Sequence, residues 1–504
     1  MSLVKRNLAA NFAANMWMPF LWLLLTPAYV AAMGIEAFGV IGLFLALQAI
    51  MVQLDFGLSL TLNRELARLS VQEGRGRQMR DLLRTTEFIY WGLAVAAGIV
   101  IVSGAPIIAH HWVKPRALSP LDVQRGLMMM GMALAFQLPL SLYAGGLMGL
   151  QRQVLLNGVN MAMYTIRFAG VLPALKYVAP TLQVFFTWQA AAGLAHVAVL
   201  GACLRLSLPK ASGRSSFNWP LLRSVGRFAV EVWVTTALGM VMTQLDKVIL
   251  SKTLSLEMFG YYALAGLVVA GFYRLYGSVV APLYPRLAQL AHAGSEEEIR
   301  LLYHRGCQLL STLAFAALAV VAFFSPEVLY AWTGSAAAAG HTALILSLLA
   351  VGTCLNGLMQ LPYALQLAHG WTRLGLWINI VAVLVLAPLI YFLAIRFGAP
   401  GAAAAWIVLN AGYVSVGIPL MHRRLLRGEM WRWYGRDVAL PLAGALLVAL
   451  PARIWVPLHL PRVELGLALA LILCLAAAAA ALAASELRKE LFSRAMRLVR
   501  MTSG

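Results

Sequence analysis

The stretch "FGVIGLFLALQAIMV" (38–52) runs directly into "QLDFGLSLTLNRELARLS" (53–70). The first part is almost unbroken hydrocarbon. The second opens with a carboxylate, Asp55, and continues through Arg64, Glu65 and Arg68, with Arg75, Arg77, Arg80 and Arg84 close behind. About 20 apolar residues cross the hydrocarbon core of a bilayer as a helix, and Lys and Arg gather in the loops on its cytoplasmic side. The junction therefore reads as a membrane span delivering the chain to the cytoplasmic surface. There "NRELARLS" and the arginines after it form a loop, with an amphipathic helix lying along the headgroups. The topology rule alone accounts for most of those arginines.

The whole chain shares this character. Of its 504 residues 61% are hydrophobic and 12% charged, with a mean hydropathy of +0.79. Soluble domains keep roughly a quarter of their residues charged, so lipid must face much of this protein. The formal net charge is +20. Its charges lie mostly between apolar runs, and no solvated basic domain that would suit nucleic acid is visible. The first apolar run, 12–33, has no small-residue cleavage site after it and reads as a retained span rather than a secretory signal. Cys203, Cys307, Cys354 and Cys474 fall within or at the ends of apolar runs without metal spacing, and are expected to be buried, unpaired thiols.

Counting apolar runs gives about fourteen spans. They lie near 12–33, 38–60, 86–110, 124–149, 154–176, 180–204, 226–250, 259–285, 307–332, 341–366, 373–395, 400–421, 438–456 and 463–484. With the N-terminus inside, the cytoplasmic loops hold about 28 Lys and Arg against about 7 outside. Both termini are therefore expected in the cytoplasm. The chain also repeats itself: "IEAFG" (35–39) recurs as "LEMFG" (256–260) and "LARL" (66–69) as "LAQL" (287–290), both displaced by 221 residues. An even number of spans separates the copies, so the repeat is parallel. The expected fold is an all-α polytopic membrane protein with an N-terminal six-helix lobe (1–206), a cytoplasmic linker (207–225) and a C-terminal six-helix lobe (226–422). Two extra helices and a basic tail (423–504) follow.

Ionisable groups at bilayer depth are costly and mark function by default. Arg274, in "VVAGFYRLYGSVV", and Arg167, in "NMAMYTIRFAGVLP", lie deep in the eighth and fifth spans. Each either lines a wet hollow or is structurally paired, Arg274 with an acid such as Glu231. Asn160 shares a face with Arg167, and Gln48 shares one with Asp55. Glu231 either faces a cavity or pairs with Arg227. Asp246, beside Lys247, either caps its helix or serves transport. Asp55 either exchanges a proton or sodium ion or pairs with Arg64 or Arg68. His196, Asn356, Gln360, Asn379 and Asn410 read as interhelical hydrogen-bonding residues. Gly145 and Gly149, one helical turn apart, read as a site of close helix packing. Pro27, Pro139, Pro173, Pro282 and Pro362 permit bends within spans. Guanidinium forks bind phosphate and keep their charge when desolvated, so deep arginines favour an anionic passenger.

"QLDFGLSLTLNRELARLS", together with "QLDKVILSKTLSLEMFGYYALA" (244–265), resembles the Wzx-type flippases of bacterial O-antigen and capsule repeat units. These belong to the multidrug/oligosaccharidyl-lipid/polysaccharide exporter superfamily. The resemblance implies an inner-membrane protein that turns an undecaprenyl-pyrophosphate-linked oligosaccharide from the cytoplasmic to the periplasmic leaflet by alternating access. It implies Arg274 and Arg167 as anion contacts, with Asn160, Gln48, Arg64 and Arg68 as further substrate-binding candidates. Asp55, Glu231 and Asp246 are the candidates for H+ or Na+ coupling; no cofactor or resident metal is implied. A polysaccharide polymerase and a chain-length regulator are the protein partners it suggests.

Two alternatives remain within the superfamily: a multidrug, cation-coupled exporter, or a flippase for another lipid-linked precursor such as lipid II. The arginine–aspartate cluster of the lipid II flippases' first span is not seen. An enzyme is not expected, because no GxxxxGK[ST], HExxH or GxSxG motif occurs and the loops are short.

Overall fold

The computed structural model describes residues 3–53, 55, 57–209, 216–217, 244–455, 460–490 and 492–493. Glu231, Arg227, most of the seventh span and most of the 207–225 linker lie outside the described residues. The described residues are almost all in helices joined by short turns and loops, without strands. Ten of their helices are long and apolar enough to cross a membrane, which makes the protein an all-α polytopic membrane protein. The chain divides into two compact units, Met1–Gly260 and Tyr261–Gly504.

Two of the long helices, Leu3–Gln53 and Arg373–Gly412, each hold two spans joined at a glycine, Gly34 and Gly398. Helix α1 (Leu3–Gln53) breaks at Gly34, where φ is 85°, a left-handed conformation that only glycine adopts without strain. Glu36 fixes the break. Buried beside it, its carboxylate accepts the backbone N–H groups of Arg116, Ala117 (2.7 Å) and Leu118 (2.8 Å). The same connecting loop holds the chain near 251–256: Trp112 donates to the Ser251 hydroxyl at 2.9 Å, and Leu256 N donates to Lys114 O at 3.0 Å.

Three other spans are interrupted by one mechanism. A proline cannot donate to the carbonyl four residues back and its ring crowds that carbonyl, so a helix tends to end there. Pro139 follows the end of α4 (Pro120–Ala135) by four residues and lies in α5 (Gln137–Gly149). Pro173 stands in the same relation to α6 (Gln153–Ala169) and α7 (Val171–Tyr177). In the second unit, Pro362 does so for α13 (Ala336–Leu358) and α14 (Gln360–Ala368). Pro27 and Pro282 lie within continuous helices.

At 53–70 the chain leaves α1 and turns through Gly57, at φ 71°, into α2 (Leu58–Ser70). Its apolar face, Leu58, Leu62, Leu66 and Leu69, is buried with Leu82, Tyr90, Leu142 and Leu147 in the core of the first unit. Helix α2 therefore packs by one face into the bundle. Gly145 and Gly149 of α5 make this possible, because a Cβ there would come within 2.6 Å of Ser59 O and 2.5 Å of Asn63 O. The expected close packing at these glycines is present, and α2 is its partner.

In the second unit the last two helices, α18 (Leu440–Trp455) and α19 (Arg462–Ala483), are fastened to α11 (Glu296–Phe323) and α12 (Ser325–Thr333). Val320, Phe324, Leu465, Leu469 and Ile472 form a shared apolar core. Arg453 pairs with buried Glu327, and Arg462 donates to the carbonyls of Ala331 and Trp332 at 3.2 and 3.1 Å. At the other end His304 is fully enclosed, one ring nitrogen facing Asp437 and the other Glu429 at 3.1 Å. Both ring nitrogens thus meet carboxyl groups carried by the segment that leads into α18. Gln308 completes the joint, donating to Asp437 at 2.8 Å and accepting from Glu486 N at 2.8 Å. Of the cysteines, Cys307 and Cys354 are buried thiols as expected. Cys203 is half-buried, and Cys474 is exposed on α19, a correction.

Candidate functional site

Asp55 stands at the turn between α1 and α2, where its carboxylate draws three helices together. One oxygen accepts from Ser59 Oγ at 2.7 Å; the other accepts from the hydroxyl of Tyr90 on α3 (Gly76–Ile107) and from Ser141 Oγ of α5 at 2.9 Å. Pairing of Asp55 with Arg64 or Arg68 does not occur, a correction. Those arginines instead bracket Glu65 between them at 3.0 and 2.7 Å, their own side chains 57% and 63% exposed. The three-residue spacing puts Arg68 and Glu65 on one helix face, while the Asp55 oxygens are already taken by hydroxyls.

Arg167 is enclosed in the first unit with 1% of its surface exposed. Its Nε donates to Gln189 Oε1 at 2.5 Å. With the Gln137 amide turned so that its oxygen faces the guanidinium, that oxygen accepts both terminal nitrogens at 2.8 and 2.7 Å. The Gln137 amide nitrogen then lies 3.3 Å from the amide of Gln48. Amide orientation is assigned from such networks. Phe168 lies under the guanidinium, 5.9 Å away. Among the described residues no carboxylate pairs with Arg167. Neutral amides thus satisfy its donors and leave its charge standing. Gln48, a sequence candidate, therefore sits at this cluster. Asn160 Oδ1 accepts from His196 Nε2 at 2.9 Å, and Tyr164 meets both the His196 ring (5.4 Å) and the Phe168 ring (6.1 Å).

Arg274 is exposed on α10 (Leu256–Ala293), between exposed Tyr273 and Leu275. Asp246 contacts Lys247 at 3.2 Å on the helix whose residues 244–253 are described. Glu231 lies outside the described residues.

Several polar residues gained importance only with the fold. Gln137 and Gln189 cage the arginine from other helices. Glu87, buried on α3, receives Tyr143 OH at 3.0 Å and the guanidinium of Arg205. The signal for Gln137 was present: "QLP" at 137–139 recurs at 360–362. Both copies open the second half of a broken span.

Comparison with known proteins agrees with the resemblance drawn from 53–70 and 244–265. A Shigella flexneri protein described as an O-antigen transporter is 19% identical over 385 residues, covering 75% of this chain and 89% of its own. Among solved structures, an inward-facing multidrug resistance MATE family transporter of the MOP superfamily matches with a TM-score of 0.65 at 15% identity, over 82% of this chain and 96% of its own. The lipid II flippase MurJ in an inward closed conformation matches with a TM-score of 0.64 at 12% identity, over 94% and 98%. These two likenesses establish the fold. Residues 33–336 match the family described as polysaccharide biosynthesis protein. The chain belongs to that family.

Proposed function

We propose that the protein is a flippase for lipid-linked oligosaccharide. It turns repeat units borne on undecaprenyl pyrophosphate from the cytoplasmic to the periplasmic leaflet of a bacterial inner membrane, with both termini cytoplasmic. A sugar–diphosphate head does not cross about 30 Å of hydrocarbon unaided. Beyond the family, the observation that carries the reading is Arg167, a buried guanidinium satisfied by glutamines and left without a counter-charge. The Gln137 oxygen occupies the two donors that a phosphate oxygen would take. Exchange of one for the other needs only a shift at the Pro139 break, where Gln137 begins its helix. Arg274, exposed on an apolar span, supplies a second positive group, and Arg64 and Arg68 gather anionic headgroups at the surface.

Among the described acids, Asp55 is the one whose oxygens meet several hydroxyls, surroundings that suit a proton or sodium ion. A polysaccharide polymerase and a chain-length regulator would act on the delivered units.

The test is reconstitution of the full chain in liposomes with polyprenyl-diphosphate oligosaccharide in the inner leaflet. Appearance of the sugar at the outer surface, lost in Arg167→Gln, is the expected result. Transport of a cationic dye with no movement of the lipid would overturn it in favour of drug export.

A further inference from the structure

Gln137 and Gln360 begin the second halves of broken spans in the two units, each followed by Leu-Pro, yet their partners differ. Gln137 faces a guanidinium. Gln360 Nε2 donates to Asn356 Oδ1 at 3.1 Å, Asn356 Nδ2 donates to Asn410 Oδ1 at 2.8 Å, and Asn410 Nδ2 donates to Trp406 O at 2.7 Å. The amides thus point one way, from a half-buried Gln360 to a fully buried Asn410. Each bond in such a chain polarises the next. Its inner end is closed on a backbone carbonyl. At its outer end, among the described residues, the Gln360 carbonyl oxygen has no protein partner.

One turn beyond Asn410, half-buried Tyr413 donates to Asn379 at 3.2 Å. Trp406, also half-buried, donates to Thr353 at 3.3 Å. The group holds no ionisable carboxylate, guanidinium or amine. It offers amide acceptors and donors beside aromatic rings, which matches neutral hydroxyls that both give and take hydrogen bonds.

We propose that the Gln360–Asn356–Asn410 chain recognises the neutral sugar of the lipid-linked head group, with Gln360 as the contact and Asn356 and Asn410 as positioning residues. The inference rests on the flippase reading and deepens it.

The experiment measures binding of two probes to the detergent-purified full chain: undecaprenyl diphosphate, and the same lipid bearing the oligosaccharide, extracted from the cells that make it. Wild type should bind the sugar-bearing lipid more tightly. Gln360→Met should lower that affinity by roughly three- to tenfold, the range expected for a lost neutral hydrogen bond, and leave the bare lipid unchanged. Gln137→Met should weaken both. Gln360→Asn keeps an amide but withdraws it, and should lose part of the sugar preference; it serves if Gln360→Met does not fold. Equal losses for both lipids, or none for either, would overturn the sugar site and mark the chain as helix packing. Failure of wild type to bind either lipid would instead sink the flippase reading itself.

Discussion

Gly39 and Gly260 close on each other reciprocally: a Cβ on Gly39 would lie 2.4 Å from Leu256 O, and one on Gly260 would lie 2.3 Å from Ile35 O. Ile35 and Leu256 are themselves the first residues of "IEAFG" and "LEMFG". The two copies of the repeated motif therefore cross backbone to backbone, each glycine making room for the carbonyl at the head of the other copy. Gly39→Ala and Gly260→Ala should each destabilise the protein by about 1–3 kcal/mol, the usual cost of overpacking. Because they press on one crossing, the double variant should fall short of the sum. Thermal melting of the three variants in detergent checks both statements.

Asp55 ties α2 to α3 and α5 through the hydroxyls of Ser59, Tyr90 and Ser141, and also accepts the backbone N–H of Ser59 at 3.4 Å. Asp55→Ala strands the buried Tyr90 hydroxyl, at about 1–3 kcal/mol, while Ser141 keeps its bond to Leu138 O at 2.8 Å. Tyr90→Phe removes one donor and should cost less. If Asp55 also exchanges a cation, Asp55→Asn should fold nearly as well as wild type yet no longer respond to an imposed proton or sodium gradient. Melting curves paired with gradient-driven transport separate the two roles.

Arg167 separates stability from function. Arg167→Met removes a buried charge but strands the buried Gln189 amide oxygen, at about 1–3 kcal/mol. Lipid flipping should fall at least tenfold, with the variant still folded. Arg167→Lys keeps the charge and loses the fork that two donors to Gln137 require, so it should recover only part of the flipping. Surface polysaccharide in complemented deletion cells reports the function.

Arg64 and Arg68 are more than half exposed and each touches Glu65. Exposed pairs contribute about 0–1 kcal/mol, so Arg64→Glu with Arg68→Glu should scarcely move the melting temperature. Each basic side chain near an anionic leaflet is worth about 1 kcal/mol. Flipping should therefore slow in liposomes rich in anionic lipid, and the deficit should shrink in neutral ones.

The junction at 53–70 gave away much of the fold, because apolar length, basic flanks and the Gly145–Gly149 spacing are local signals that survive folding. Asp55 was harder. A carboxylate near two arginines suggests an ion pair, but its partners came from Tyr90 and Ser141, 35 and 86 residues away. Hydroxyls carry no charge by which a sequence can announce them. The cage of Arg167 escaped for the same reason, since glutamines on separate helices have no sign to match. The repeated "QLP" was missed because its copies stand 223 residues apart rather than 221, so an ungapped comparison slides past them.

The joint that fastens α18 and α19 gives nonsense mutations late in the gene an unexpected severity. A chain stopped after Arg424 would keep both candidate polar clusters, yet it would strip His304 of Asp437 and Glu429, Gln308 of Glu486, and Glu327 of Arg453. Each orphaned interior group would claim about 1–3 kcal/mol, and a seam of greasy surface along α11 would lie bare. Such an amputated protein should be cleared by the cell's proteases rather than persist as a smaller working machine.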